Sequence, residues 1–116
     1  MPNGPGPVVS RTMESSDLDT RAAATESAEV AQVRRAQRGD TEAFAGLVRQ
    51  YQRRVISVAY RLLGNIEDAG DVSQDAFVRA YRHLSQLEDA SCFGPWLIRV
   101  VSNLSLNYRR SRRARS

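Results

Sequence analysis

The stretch DTEAFAGLVRQYQRRVISVAYRLLG, residues 40–64, decides the fold. Within it Phe44, Leu47, Val48, Tyr51, Val55, Val58, Ala59 and Leu62 recur at three- and four-residue intervals without a break. That spacing puts side chains on one face of an α-helix. Both ends are marked. Asp40 offers a side-chain acceptor to the first free N–H groups, and Glu42 places negative charge at the positive end of the helix dipole. Gly64 supplies the residue that most readily adopts a left-handed stop. Ile56, Tyr60 and Leu63 widen the apolar stripe, so more than one neighbour is expected to pack against this helix.

Upstream, residues 27–38 read as a weaker helix, with Ala28, Ala31 and Val33 among charges and Gly39 as its stop. Residues 1–26 open with Met-Pro-Asn-Gly-Pro-Gly-Pro, continue in Ser, Thr, Asp and Ala, and hold no aromatic residue. They are expected to form a disordered acidic leader. Downstream, Asn65 is placed to cap a third helix with Glu67 and Asp68 in its first turn. Its buried face is read as Ala69, Ala76, Phe77, Ala80 and Leu84. A loop follows at about 85–93, with Glu88, Asp89 and Ser91 as breakers. Pro95 fits the first turn of a last helix, where its missing N–H costs nothing, and Leu97, Val100, Val101, Leu104 and Tyr108 make that helix's apolar face. There is no alternating strand pattern, no internal repeat and no Gly-rich phosphate loop. The expected fold class is all-α: a compact bundle of three main helices plus a weaker N-terminal one. The helical domain is expected over residues 27–113, with a basic tail end at 114–116.

Charge is distributed unevenly along the 116 residues. Residues 1–30 hold five acids against two arginines, a net of −3; residues 31–108 hold ten arginines against eight acids, a net of +2; residues 109–116 hold five arginines and no acid, a net of +5. A polyanion partner near the C-terminus is the natural inference. Every basic residue is Arg. The fork of the guanidinium suits phosphate and base edges, although a codon bias toward GC-rich DNA is the plainer cause. Cys92 stands alone, so one chain can form neither a disulfide framework nor a Cys-based metal site, and His83 has no Cys or His partner for a metal. No cofactor is expected. Neither a membrane span nor an apolar signal core is present in the sequence, and a cytoplasmic protein is expected.

Two helix faces carry candidate function. At about 100° per residue, Asp68, Asp71, Gln74, Asp75, Arg79 and Arg82 fall opposite Ala76, Phe77 and Ala80, with Val78 in the middle of the polar stripe. An apolar residue ringed by carboxylates, an amide and arginines is the makeup of a small protein-binding patch. The plainer alternative is a solvated face steadied by an Asp75–Arg79 pair. On the last helix Arg99, Asn103, Leu106, Asn107, Arg110 and Arg113 line one side. Asn and Arg can bond base edges and clustered Arg can neutralise phosphate, while cations at a helix C-terminus are also favoured by the dipole alone. Phe93, Trp96 and Tyr108 could stack on unpaired bases; at a loop-to-helix junction, Phe93 and Trp96 are more often core.

Three stretches, in order, resemble the second conserved domain of extracytoplasmic-function (ECF) sigma factors. They are Asp40-Thr41-Glu42-Ala43-Phe44 with Leu47; Gly64-Asn65 followed by Asp68-Ala69-Gly70-Asp71-Val72-Ser73-Gln74-Asp75-Ala76-Phe77; and Phe93-Gly94-Pro95-Trp96-Leu97 with Asn103 and the terminal arginines. Together they cover about residues 30–113. The resemblance implies a transcription initiation domain, not an enzyme, that binds core RNA polymerase and recognises and melts the promoter minus-ten element. It implies that the helix carrying Asp68, Asp71, Gln74, Asp75, Val78 and Arg79 docks on the coiled coil of the largest polymerase subunit. It further implies that the loop with Leu87, Glu88, Asp89, Ala90 and Ser91 captures a flipped base of the non-template strand. The last helix, with Arg99, Asn103, Leu106, Asn107, Arg109, Arg110, Arg112 and Arg113, would contact the DNA. An anti-sigma factor is a further candidate partner.

The sequence departs from the family pattern at Gly70, where an acid is usual, and at Gly94-Pro95 before the Trp. It also stops at Ser116, before a second helical domain that would read the minus-thirty-five element. Independent promoter selection is therefore not expected, whether the chain is a piece of a longer protein or a domain acting with a partner. The reading from another class is a helical protein-docking module without DNA binding, such as a regulator's interaction domain. It leaves the alignment of Asn103, Asn107 and Arg110 with the terminal arginines unexplained. A small enzyme lacks any nucleophile–base pair, metal cluster or phosphate loop to build on.

Overall fold

The caps read from the sequence are where the chain turns. In the computed structural model, which describes residues 28–115, α1 covers residues 28–37, α2 Thr41–Leu63, α3 Ile66–His83 and α4 Phe93–Arg115. The Asp40 carboxylate accepts from the Ala43 N–H at 3.1 Å and opens α2. Gly64 closes it at φ 72°, donating its N–H to the Tyr60 carbonyl at 2.8 Å, a conformation in which a Cβ would be strained. The Asn65 side-chain oxygen then accepts from the Asp68 N–H at 3.0 Å and starts α3 one residue later. Between α3 and α4 lie two single 3₁₀ turns, Leu84–Gln86 and Ala90–Cys92, in the segment expected to be an irregular loop. No strand occurs among the described residues.

The helices meet around one core. Val33 and Ala36 from α1, Leu47, Tyr51, Val55 and Ala59 from α2, Ala69, Val72, Ala76 and Ala80 from α3, and Phe93, Leu97 and Val101 from α4 are all buried. The connection adds Leu84 and Ala90. The buried face of α3 is made chiefly of alanines, and residues this small let a helix approach its neighbours closely. As the widened stripe implied, α2 packs against both α3 and α4. Tyr60, counted in that stripe, is nevertheless exposed, and Phe77 is only half-buried.

Chain direction follows from the side-chain contacts. The start of α3 reaches the end of α4 through Asp68 and Tyr108, so these two helices run antiparallel. Tyr51 at the middle of α2 touches Phe93 at the start of α4, while Leu63 at the end of α2 shares a small cavity with Arg109, Arg112 and Arg113 far along α4. Helices α2 and α4 therefore run parallel. One end of the bundle carries the 84–92 connection and the other carries the arginines.

Two expectations about boundaries change. Helix α4 runs on through Arg115, so residues 114 and 115 belong to the helix instead of forming a separate tail. Nothing between Tyr108 and Arg115 breaks a helix, since Arg and Ala are good helix formers and Ser a moderate one. The leader expected over residues 1–26 lies outside the described residues.

Candidate functional site

The outward face of α3 is set by what the other face buries. With Ala69, Val72, Ala76 and Ala80 turned into the core, Asp71, Gln74, Asp75, Val78, Arg79 and Arg82 are exposed together. Val78 is 44% exposed, an apolar side chain held in water amid polar neighbours. No Asp75–Arg79 ion pair forms among the described residues, so that pair does not steady this face.

Asp68 does not join that face. Its carboxylate accepts from the Tyr108 hydroxyl at 2.9 Å and pairs with an Arg112 Nη1 at 2.6 Å, and its side chain is only 19% exposed. On a helical wheel Asp68 lies within about 20° of Asp75, which is why spacing groups them. It is also beside the buried Val72, on the edge where α4 arrives with Tyr108 and Arg112. The wheel of a single helix cannot register that neighbour. The bond to Asp68, then desolvation and the carboxylate's charge, hold the Tyr108 hydroxyl above its ordinary pKa. Arg112, counted as a phosphate contact, is thus engaged with Asp68.

The opposite edge of the same face opens into an apolar groove of about 630 Å³ between α2 and α3. Phe44, Val48 and Ile56 form one wall and Phe77, Val78 and Tyr81 the other, with Gln52, Gln74 and Arg82 at its margins. Phe44 and Tyr81 meet edge to face at 5.0 Å between ring centres. Gly70 lines the groove with open space where a Cβ would stand, so the departure from the family pattern here fills no packing need. The groove has no simple sequence signal, because its walls come from two helices: Phe44, Val48, Ile56 and Phe77 were read as core, Val78 as part of an exposed face, and Tyr81 was given no role.

On α4, Arg99, Asn103, Leu106, Asn107, Arg109, Arg110 and Arg113 are exposed. Leu97, Val101 and Ser105 are fully buried on the other side, which prevents the helix from rolling. Phe93 is also fully buried, packed against the Tyr51 and Trp96 rings at 5.5 and 6.0 Å. It is core and cannot stack on a base; Trp96 and Tyr108 are half-buried. His83 is an exposed side chain in the last turn of α3.

The 84–92 connection is more ordered than its composition suggested. Of the five residues assigned to a base-capture loop, Leu87 is half-buried against the core and Ala90 is buried, while Glu88, Asp89 and Ser91 face outward. The Asp89 carboxylate accepts from the Ser91 hydroxyl at 2.6 Å and the Ser91 N–H at 3.0 Å. These bonds hold its pKa below the usual carboxylate value. Gln37, a residue to which sequence reading assigned no role, bonds the carbonyls of Leu84 and Leu87 at 3.0 and 2.8 Å.

With this geometry in place, the likenesses to known proteins become informative. The family model "Sigma-70 region 2" matches residues 47–115. The ECF RNA polymerase sigma factor SigW of Bacillus subtilis is 35% identical over 75 residues, covering 65% of this chain and 40% of that protein. The RNA polymerase sigma-H factor of Pseudomonas aeruginosa is 40% identical over 76 residues, 66% of this chain and 39% of the other. The ECF RNA polymerase sigma-E factor of Escherichia coli is 42% identical with the same coverage. The chain therefore spans about two fifths of the length of these relatives. Among solved structures, an engineered region 2 of sigmaE in complex with GTAAAA superposes with a TM-score of 0.70 at 37% identity, covering 75% of this chain and 90% of that one.

Proposed function

Because the chain belongs to the sigma-70 region 2 family, we propose that it acts in the cytoplasm as a transcription initiation module that binds core RNA polymerase and recognises and opens the promoter minus-ten element. One observation carries this reading. Arg99, Asn103, Asn107, Arg110 and Arg113 stand exposed on the side of α4 whose reverse is locked in the core, and a 37% identical region 2 is solved with the hexanucleotide GTAAAA. Asparagine amides bond base edges and arginines neutralise backbone charge, so one rigid helix supplies both preference and affinity.

The finer assignments rest on the same basis. Asp71, Gln74, Asp75, Val78 and Arg79 form the patch for the coiled coil of the largest polymerase subunit, and the adjoining groove can take apolar side chains of a docked helix. The outward rim of the 84–92 connection captures a base flipped from the non-template strand. Taking a base out of the stack costs a few kcal/mol, which binding energy alone offsets, without catalysis or a cofactor. An anti-sigma factor is the regulatory partner this reading implies.

The test is a pull-down of the purified chain with core polymerase, followed by selection from a library of single-stranded minus-ten elements. Replacing Asp71 and Asp75 together with Arg should weaken polymerase binding by about tenfold or more, the scale of losing two charged contacts at an interface, with helicity unchanged. Unchanged affinity in that double variant would take the α3 face out of the interface. Capture of polymerase with no selection among DNA strands would favour a protein-docking module instead.

A further inference from the structure

A base-reading loop must hold one shape before DNA arrives, because ordering it on binding subtracts from both affinity and discrimination. The 84–92 connection has no strand ladder or long helix to give it that shape. Leu84 and Ala90 are anchored in the core and Asp89 fixes its own turn through Ser91. Between these anchors the chain leaves the first 3₁₀ turn at Leu87, where the backbone is extended (φ −74°, ψ 108°). The peptide that follows leads directly to Glu88, the first exposed residue after Leu87.

Gln37 closes over this point. Its side-chain NH₂ donates to the Leu84 carbonyl at 3.0 Å and to the Leu87 carbonyl at 2.8 Å, across 47 and 50 residues of sequence. Both partners are acceptors only, so the amide can sit only one way round. The Leu84 carbonyl also takes the turn's own bond from the Leu87 N–H at 3.1 Å, whereas among the described residues the Leu87 carbonyl accepts from Gln37 alone. The side chain is part-buried, which makes an unmade bond there costly. Gln37 lies in α1, outside the residues matched by the family model.

We propose that Gln37 is a specificity-determining positioning residue: by holding the Leu84 and Leu87 carbonyls it sets the direction in which the 88–91 rim meets the captured base. This deepens the proposed base capture by that loop and rests on it. Gln37 itself touches no DNA; it acts through the peptide at Leu87.

The experiment measures binding, with core polymerase present, to the best minus-ten strand and to strands changed one base at a time. It compares wild type, Gln37→Met (similar length, no donor), Gln37→Lys (donors retained) and the loop variant Glu88→Ala/Ser91→Ala. Gln37→Met should lose about tenfold discrimination, the scale of one to two hydrogen bonds, at the single position that the loop variant also blunts. Gln37→Lys should retain that discrimination. Amide exchange at 87–92 should quicken in Gln37→Met and stay slow in Gln37→Lys. If Gln37→Met disturbs α1 itself, Gln37→Glu provides a second donorless test with the same side-chain shape. Equal weakening on every strand, or unchanged discrimination while the loop variant loses it, would overturn the role of Gln37 alone. A loop variant that blunts no position would overturn base capture and this inference with it. Exchange at 87–92 that is unaltered in both donorless variants would refute the anchoring itself, whatever the DNA result.

Discussion

At the scale of single residues, the pair Gly94 and Tyr51 shows how one position constrains another. A Cβ added to Gly94 would stand 2.8 Å from the Tyr51 hydroxyl oxygen. That oxygen has little freedom to yield. It lies 2.8 Å from each Glu29 carboxylate oxygen, its ring meets Phe93 edge-on, and the Arg54 guanidinium sits 5.4 Å above the ring. The departure from the family pattern at Gly94 is thus matched to the tyrosine facing it. Gly94→Ala should lower stability by about 1–3 kcal/mol, the usual cost of overpacking, and Tyr51→Phe in the same chain should recover part of the loss by removing the crowded oxygen. Urea midpoints of the two single variants and the double variant decide this; strictly additive losses would mean the two sites are not coupled. Burial, then the bond to Glu29 and its charge, pushes the Tyr51 hydroxyl up to about 12 from an ordinary 10.0. A raised folded-state pKa stabilises fully below the unfolded value and is lost as pH climbs through the folded one. Wild type should therefore lose stability between pH 10 and about 12 more steeply than Tyr51→Phe, as followed by circular dichroism. Parallel curves would rule out Tyr51 as the group responsible. Spacing placed Tyr51 in the core correctly, but its link to Glu29, 22 residues away, leaves no periodic trace.

At the scale of elements, α4 joins a buried half to a charged half in one unbroken helix of 23 residues, about 34 Å long at 1.5 Å per residue. Its outward face was legible from spacing alone, because a helix that buries Leu97 and Val101 must present Arg99, Asn103 and Asn107 elsewhere. The duty of each arginine was not legible. Arg112 and Arg113 are adjacent and chemically identical, yet Arg112 meets Asp68 at 2.6 Å across 44 residues. The difference should appear in salt dependence. On single strands each neutralised phosphate contributes about 0.7 to the slope of log affinity against log salt. Arg113→Ala should reduce that slope by about this amount. Arg112→Ala should reduce it less and instead lower thermal stability, by up to about 1 kcal/mol for a half-exposed pair. Equal changes of slope in the two variants would show that Asp68 does not hold Arg112 back from DNA.

At the scale of the whole molecule, the antiparallel pairing of α3 with α4 distributes the proposed tasks. The outward patch of α3 is the face proposed for protein, while α4 runs from the 84–92 connection at one end of the bundle to the terminal arginines at the other. Helix number, order and caps could be read from Asp40, Gly64 and Asn65, because capping is chemistry local to a few residues. What could not be read were features made by two elements at once: the α2–α3 groove, the Asp68 clasp and the Gln37 bridge. The division of labour makes a prediction that no single residue makes. Terminal arginines should supply affinity without preference, since phosphates look alike on every DNA, and preference should come from the loop rim and from Asn103 and Asn107. Asn103→Ala should lower discrimination between the best element and a scrambled strand by about 1–3 kcal/mol, the worth of one good base contact. Replacing Arg110 and Arg113 with Ala should weaken both strands about equally. Neither change should alter polymerase affinity, because the α3 patch and the α4 face lie on different helices and share no partner. Paired titrations on cognate and scrambled strands, with core polymerase present and the melting midpoint of each variant recorded, separate these effects. If Asn103→Ala weakens both strands alike with its melting midpoint unchanged, this face of α4 holds DNA without reading it, and discrimination must come from the 84–92 connection alone.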